Sequence, residues 1–182
     1  MRSMAELGSA ETDRLRLERW RHPEHADALV RINADPEVVR FVGGAVTAAQ
    51  SHEMSRRLAA HWDNYGYGLW AAVAKSSNAI VGFVGLSHPL SWPEMVERLE
   101  VGWRLARDAW GFGYATEAAR EAVRLGREVL GRDELVSLIH PLNTRSLAVA
   151  RRLGMQEEGE VPHPSRDETL KIMRLRVGVA RQ

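Results

Sequence analysis

The sequence of 182 residues contains no cysteine, and only two of its 25 basic residues, Lys75 and Lys171, are lysine. Without cysteine the chain has no disulfide, no thiolate metal ligand and no cysteine nucleophile. Its seven histidines include no His-x-x-x-His pair, so we expect no metal centre. The first twelve residues lack an apolar run, which predicts neither a signal peptide nor a membrane span and favours the cytoplasm.

The charge is nearly balanced, with a formal net charge of +1 at pH 7. Basic residues are spread along the chain, so we expect no direct nucleic-acid partner. A hydrophobic content of 45% and a charged content of 27% are typical of a soluble globular protein. The length predicts one domain over residues 1–182, with the small polar residues 1–11 as a flexible tail. The sequence leaves a homodimer open.

The most informative stretch runs from Glu97 to Glu121. It begins with residues that alternate between an apolar set and a second, mostly charged set. The apolar set is Leu99, Val101, Trp103 and Leu105, and the other set is Arg98, Glu100, Gly102 and Arg104. This period of two predicts a strand with one face on the core and a carboxylate beside a glycine on the other.

A glycine turn and a helix follow this strand. Gly111 and Gly113 leave the turn almost without side chains, and apolar residues recur at helical spacing from Ala115 to Leu130. Free N–H groups at a helix N-terminus favour a phosphate or pyrophosphate, so we expect an anion site here. An ordinary strand-to-helix turn is the structural alternative.

The other elements are predicted from apolar periodicity, caps and turn residues. We expect strands over 12–20 and 134–140, helices after Pro23, Thr47 and Asn143, a hairpin of 68–75 with 79–87, and final strands over 156–161 and 168–177. The strand over 134–140 returns across a helix, which predicts that it runs parallel to the central strand.

Two motifs resemble those of the GNAT superfamily of N-acetyltransferases. The run Trp-Gly-Phe-Gly-Tyr-Ala over 110–115 is similar to the pyrophosphate motif Gln/Arg-x-x-Gly-x-Gly/Ala, with Trp110 at the Gln/Arg position. That departure resembles the branch of ribosomal-protein-alanine N-acetyltransferases. The run Asn-Thr-Arg-Ser over 143–146, followed by Leu-Gly-Met over 153–155, is similar to the Asn-x-x-Ser element of the same family.

The resemblance implies a fold, a cosubstrate and a reaction. The fold is mixed α/β: a central, mostly antiparallel sheet of about seven strands, with a splayed parallel pair at its centre and about four flanking helices. The cosubstrate is acetyl-CoA, without a metal, and the reaction is direct acetyl transfer to an amine in a ternary complex. A catalytically silent acyl-CoA-binding or interaction module of the same fold is the alternative. A Rossmann-like nucleotide site is disfavoured because no repeated βαβ units surround the glycine turn.

The resemblance also assigns the site residues. The cofactor would contact Trp103, Leu105, Trp110, Gly111, Phe112, Gly113, Tyr114, Ala115, Asn143 and Ser146. Glu100 would be the general base, acting directly or through water. Ser146 would protonate the leaving thiolate, because the tyrosine that does so in other branches is absent from its helix.

Each of these assignments has a structural alternative. Glu100 could pair with Arg98 or Arg104, Asn143 could be only an N-cap, and Ser146 could be only a helical residue that favours its position. His140 and His163 are more often structural than catalytic. The acceptor amine stays undetermined: a protein N-terminus, an amino acid and a polyamine are all compatible with loops 35–46, 88–96 and 161–167.

Overall fold

A computed structural model describes residues 7–176 of the chain. These residues form eight strands, five α-helices and two short 3₁₀ turns. The strands are Ser9–Glu11 (β1), Leu15–Arg19 (β2), Leu69–Ala74 (β3), Ala79–Ser87 (β4), Glu100–Leu105 (β5), Glu134–Ile139 (β6), Gln156–Pro162 (β7) and Thr169–Arg176 (β8). The helices are Ala26–Asn33 (α1), Pro36–Val39 (α2), Ala48–Tyr65 (α3), Tyr114–Glu128 (α4) and Thr144–Arg152 (α5).

All eight strands belong to one sheet, in the order β1-β2-β3-β4-β5-β6-β8-β7. Every neighbouring pair is antiparallel except β5 and β6, which are parallel. The parallel pair has a single pair of residues in register, Glu100 with Val136, and the two strands separate beyond it. The predicted mixed α/β fold with a splayed central pair is confirmed, with eight strands in place of about seven.

The eighth strand comes from a segment that the sequence analysis assigned to a flexible tail. Ser9–Glu11 pairs with β2, and Leu7 is fully buried. The Trp70 indole N–H donates a hydrogen bond of 2.7 Å to the Leu7 carbonyl oxygen. The tail prediction is therefore wrong for residues 7–11, because one leucine in a polar stretch carries no periodic signal. Residues 1–6 lie outside the described part.

Helices pack on both faces of the sheet. On one face, the Arg104 side chain of β5 reaches Asn33 in α1 and Met54 in α3. On the other face, α4 lies close to the sheet because the residues that contact the sheet are small. A Cβ on Gly126 would lie 3.4 Å from the side chains of Leu86 and Leu135. No helix within residues 7–176 is both long enough and apolar enough to cross a membrane.

The predicted helix signals act as expected. Thr47 caps α3 through a reciprocal pair of hydrogen bonds with Gln50, and Gly66 ends that helix at a φ of 73°. Gly113 opens α4 in a left-handed conformation. These caps fix where α3 and α4 begin, and the start of α4 forms one end of the site.

Candidate active site

A cleft of about 1170 Å³ opens beside the splayed pair of strands. Its walls are the end of β5, the glycine turn, the first half of α4, the face of α5 and the segment around α2. Among the lining residues are Val38, Phe41, Trp103, Leu105, Trp110, Gly111, Gly113, Tyr114, Ala115, Asn143 and Ser146. Of the predicted cofactor residues, Phe112 alone lies outside the lining. Its side chain is 60% exposed, and its ring stacks on that of Tyr114 at 5.9 Å.

The glycine turn has the backbone that its sequence predicts. Gly111 and Gly113 have φ values of 83° and 82°, a left-handed region in which a Cβ is strained. Gly113 is the N-cap residue of α4 and no side chain caps the helix there. The first N–H groups of α4 are therefore left for a ligand, and the macrodipole adds positive potential.

Trp110 occupies the position that is Gln or Arg in the family pattern. Its indole N–H donates to the Leu105 carbonyl oxygen at 3.0 Å, which ties the turn to the end of β5. The Arg145 guanidinium lies 4.6 Å from the centre of its ring. Trp110 thus positions the turn and a nearby cation, and one lone pair of the Leu105 carbonyl is already used.

Arg14 fastens the turn and the first turn of α4 to the start of β2. Its Nε donates to Glu117 at 2.7 Å, one of its terminal nitrogens donates to the Phe112 carbonyl oxygen at 2.8 Å, and its guanidinium lies over the Tyr114 ring. Burial disfavours the charge of Glu117, but hydrogen bonds from Thr12 and Arg14 outweigh burial and lower its pKa. Arg14 therefore offsets a carboxylate that stands beside the anion site.

Glu100 lies at the vertex of the gap between β5 and β6. Its carboxylate accepts a hydrogen bond of 3.2 Å from the Leu138 N–H, beyond the last pair in register. Burial raises its pKa to about 7, against the smaller opposite effect of the Leu138 hydrogen bond. Glu100 is not among the residues that line the cleft itself.

The two ion pairs considered for Glu100 are absent from the described chain. Arg98 pairs with Glu134 and Glu158 at 2.8 and 2.7 Å, and Arg104 donates to an amide oxygen of α1. Glu100 therefore has no cation partner within residues 7–176. A carboxyl with a pKa near neutrality at a strand gap has the properties of a general base.

Asn143 and Ser146 both line the cleft. Asn143 is the N-cap of α5, and its side-chain oxygen accepts the Ser146 N–H at 3.1 Å. The Ser146 hydroxyl makes no hydrogen bond to another described residue, so it is available to a ligand. Tyr65 and Tyr67 do not line the cleft, and Tyr114 lies at its far end against Arg14.

The two histidines of the neighbouring loops have structural contacts. The His140 ring lies 5.1 Å from the Phe41 ring, and its Nε2 lies 3.8 Å from Glu168. His163 packs edge-on against Trp92 at 5.2 Å. Their contacts join the loop after α2, the end of β6 and the β7–β8 hairpin around one side of the site.

The sequence analysis missed Arg14, Glu117 and the wall formed by Val38 and Phe41. Arg14 and Glu117 are 103 positions apart, so no local pattern joins them. The position of Glu117 carried no signal of its own, because a carboxylate is common and favourable in the first turn of a helix. The short α2 carries no periodic pattern.

Residues 14–156 match the family model described as an acetyltransferase (GNAT) domain. The chain belongs to the GNAT acetyltransferases. Among the proteins similar to this GNAT chain is the FsC-acetyl coenzyme A-N(2)-transacetylase of Aspergillus fumigatus, which is 31% identical over an alignment that covers 83% of this chain and 74% of that protein.

Solved structures show the same fold. An acetyltransferase from Agrobacterium tumefaciens is 29% identical, with a TM-score of 0.78 and coverage of 92% of the GNAT chain and 93% of its own. The ribosomal-protein-S5-alanine acetyltransferase of Vibrio fischeri has a TM-score of 0.69 at 16% identity, covering 96% of this chain and 99% of its own. The latter similarity concerns the fold alone.

Proposed function

We propose that the protein is an acetyl-CoA-dependent N-acetyltransferase that transfers the acetyl group directly to a primary amine in a ternary complex. The proposal depends chiefly on the position of Glu100, whose carboxyl has a pKa of about 7 and lies where β5 and β6 separate. The cleft beside it ends in a glycine turn that no side chain caps. Family membership and the similarity to the Aspergillus acetyl coenzyme A transacetylase support acetyl-CoA as the cosubstrate.

The chain offers a suitable cradle for the cosubstrate. The left-handed glycines and the free N–H groups over 111–115 suit its pyrophosphate. Three exposed arginines at the cleft, Arg120, Arg145 and Arg152, have no carboxylate partner within the described residues and add positive charge. In this proposal the backbone of Trp103 and Leu105 pairs with the pantetheine amides, and Asn143 contacts the same arm.

Acetyl-CoA supplies the thioester carbonyl that the amine attacks. Glu100 takes a proton from the acceptor ammonium, directly or through water, because a base with a pKa near 7 is about half ionised at neutral pH and still basic. Ser146 supplies a proton to the leaving sulfur from a hydroxyl that has no other described partner. A thiol has a pKa of about 8.5, so this second proton transfer is less demanding than the first.

The test is a panel of amine acceptors with acetyl-CoA, followed by release of free thiol. The expected result is acetyl-CoA-dependent transfer to at least one class of amine, with little turnover in Glu100→Gln. Tight binding of CoA with no transfer to any acceptor would contradict the proposal and favour the silent acyl-CoA-binding module. The cytoplasmic location and the possible homodimer stay predictions.

A further inference from the structure

Arg104 is a positively charged side chain of the cleft without a negative partner. One of its terminal nitrogens donates to the Asn33 side-chain oxygen at 2.8 Å and lies 3.7 Å from the Met54 sulfur. Its guanidinium lies 5.4 Å from the centre of the Phe83 ring. Its Nε and other terminal nitrogen make no hydrogen bond within residues 7–176, and no Asp or Glu of those residues forms an ion pair with it.

Four of the five carboxylates that line the cleft pair with another basic side chain, and the fifth, Asp13, forms no ion pair with Arg104. Glu117 binds Arg14, and Glu121 binds Arg124 at 2.6 Å. Glu37 lies 3.8 Å from Arg107, and Glu11 lies 2.9 Å from Lys75. None of them offsets the charge of Arg104.

The Arg104 guanidinium is charged and partly removed from water. Burial lowers the pKa of Arg104 to about 10, with no carboxylate acting against it, so the group still carries its charge at neutral pH. Arg104 is half-buried and its unused donor nitrogens are accessible, so an anion that enters the cleft can reach them. Such a group in a cleft indicates an anionic partner that arrives with a ligand.

The strand places this cation in line with the proposed base. Glu100, Gly102 and Arg104 alternate onto one face of β5, and Cα atoms four residues apart on a strand are about 13 Å apart. Gly102 between them leaves its space open, since an added Cβ would meet only Leu69, at 3.8 Å. The face therefore presents a base at one end, a cation at the other and room between.

We propose that the acceptor is an amine that also carries a carboxylate, and that Arg104 binds this carboxylate while the amine faces Glu100. The inference rests on the proposed function and narrows its acceptor. Free amino acids and peptides with an acidic residue next to the N-terminus both offer this chemistry. A polyamine would instead bring a second positive charge towards Arg104, so polyamines are disfavoured.

Pairs of acceptors that differ only in the charge of the carboxylate test the inference directly. Each amino acid is compared with its carboxamide, and each peptide with Asp at its second position is compared with the Asn peptide, by thiol release at saturating acetyl-CoA. The carboxylate member of a pair should have a kcat/KM about 10- to 100-fold higher, as expected for charge-assisted hydrogen bonds. The pair with the larger ratio identifies the source of the carboxylate. Equal values within both kinds of pair would overturn the inference.

Variants test whether Arg104 is responsible. Arg104→Gln keeps a donor for Asn33 and removes the charge, so the preference should fall to about one, mainly through KM. Arg104→Lys should keep part of the preference, because the charge stays and the fork of donors is lost. Arg57→Gln, on the exposed face of α3, is the control and should keep the whole preference. A preference that survives in Arg104→Gln would overturn the inference.

A binding measurement separates this inference from the proposed function. Calorimetry with the protein–CoA complex should show that the same amino acids bind more tightly than their carboxamides, and that the difference disappears in Arg104→Gln. If no amine is acetylated, the proposed function is wrong, but this difference in binding would still support the carboxylate site. Equal binding of acid and amide would overturn the site whether or not transfer occurs.

Discussion

The Glu100 carboxylate accepts the Leu138 N–H at 3.2 Å, where β5 and β6 cease to pair. A parallel sheet would satisfy this N–H with a main-chain carbonyl of the neighbouring strand. Here a side chain does so, because the strands have already separated. The same hydrogen bond holds the proposed base at the vertex of the gap, so the splay and the position of the base are one structural feature.

The rate of transfer should depend on the ionisation of Glu100. With a pKa raised to about 7, the carboxyl is protonated and inactive as a base at lower pH and ionised at higher pH. We expect kcat/KM to rise with pH, to pass half its limit near pH 7 and to level off about one pH unit higher. Glu100→Gln should lower turnover by roughly 10²-fold or more, remove this rise and leave CoA affinity nearly unchanged. Full turnover in the glutamine variant would require another route for the proton.

Glu100→Gln should also change the stability of the protein with pH. The folded-state pKa of about 7 lies above the ordinary glutamate value of 4.5, so the folded state binds more protons between these values and the parent loses stability as pH rises. A glutamine does not ionise and still accepts the Leu138 N–H. The free energy of unfolding at pH 8, measured by chemical denaturation, should therefore be higher in the variant by up to about 3 kcal/mol, with little difference near pH 4. A difference in stability between the two proteins that is the same at pH 4 and at pH 8 would contradict the assigned pKa.

The glycine turn can be tested with two glycines of similar backbone. Gly113 and Gly131 both have a left-handed φ, of 82° and 62°, but Gly113 alone lies at the cleft. Alanine at either position should cost about 1 kcal/mol of stability. Calorimetry should show CoA binding weakened by about tenfold or more in Gly113→Ala and unchanged in Gly131→Ala. Equal CoA affinities in the two variants would place the pyrophosphate elsewhere.

The Arg14–Glu117 pair predicts a coupled effect on the cofactor. Arg14→Gln leaves the Glu117 carboxylate uncompensated beside the anion site, so CoA affinity should fall. The double variant Arg14→Gln/Glu117→Gln removes the repulsion as well and should recover part of the loss, which a double-mutant cycle measures. Arg16→Gln, two residues along the chain in β2, is the control, because Arg16 pairs with Glu18. Additive effects of the two changes would mean that the pair acts only as structure.

Ser146 should contribute less than Glu100. Ser146→Ala removes the hydroxyl but keeps the N–H that Asn143 caps, so the helix start should be preserved. Single-turnover rates should fall modestly, by less than in Glu100→Gln, because a thiolate is a fair leaving group. Ser146→Asp should be slower than alanine, since it puts an anion beside the leaving sulfur. Parent-like rates in both variants would assign the proton to water.

Much of the fold follows from local patterns. The alternation over 99–105, the stripe of α4 and the Thr47 cap each depend on residues within one element, and the structure confirms those elements. The glycine turn was predictable for the same reason, because its backbone conformation is set by the glycines themselves. The β1 strand was not, since its order comes from pairing with β2 and from Trp70.

The sequence by itself determined which residues can do chemistry here: a glycine turn before a helix, a glutamate on a half-buried strand, and an asparagine and a serine at a helix start. Tertiary structure decided what those groups became. The separation of β5 from β6 turned Glu100 from a possible ion-pair partner into a buried carboxyl with a pKa of about 7. Folding brought Arg14 next to Glu117, which is 103 positions away in the sequence. Arg104 packs against α1 and α3, where it meets no carboxylate. Ionisation and pairing depend on burial and on distant neighbours, and folding alone brings these together.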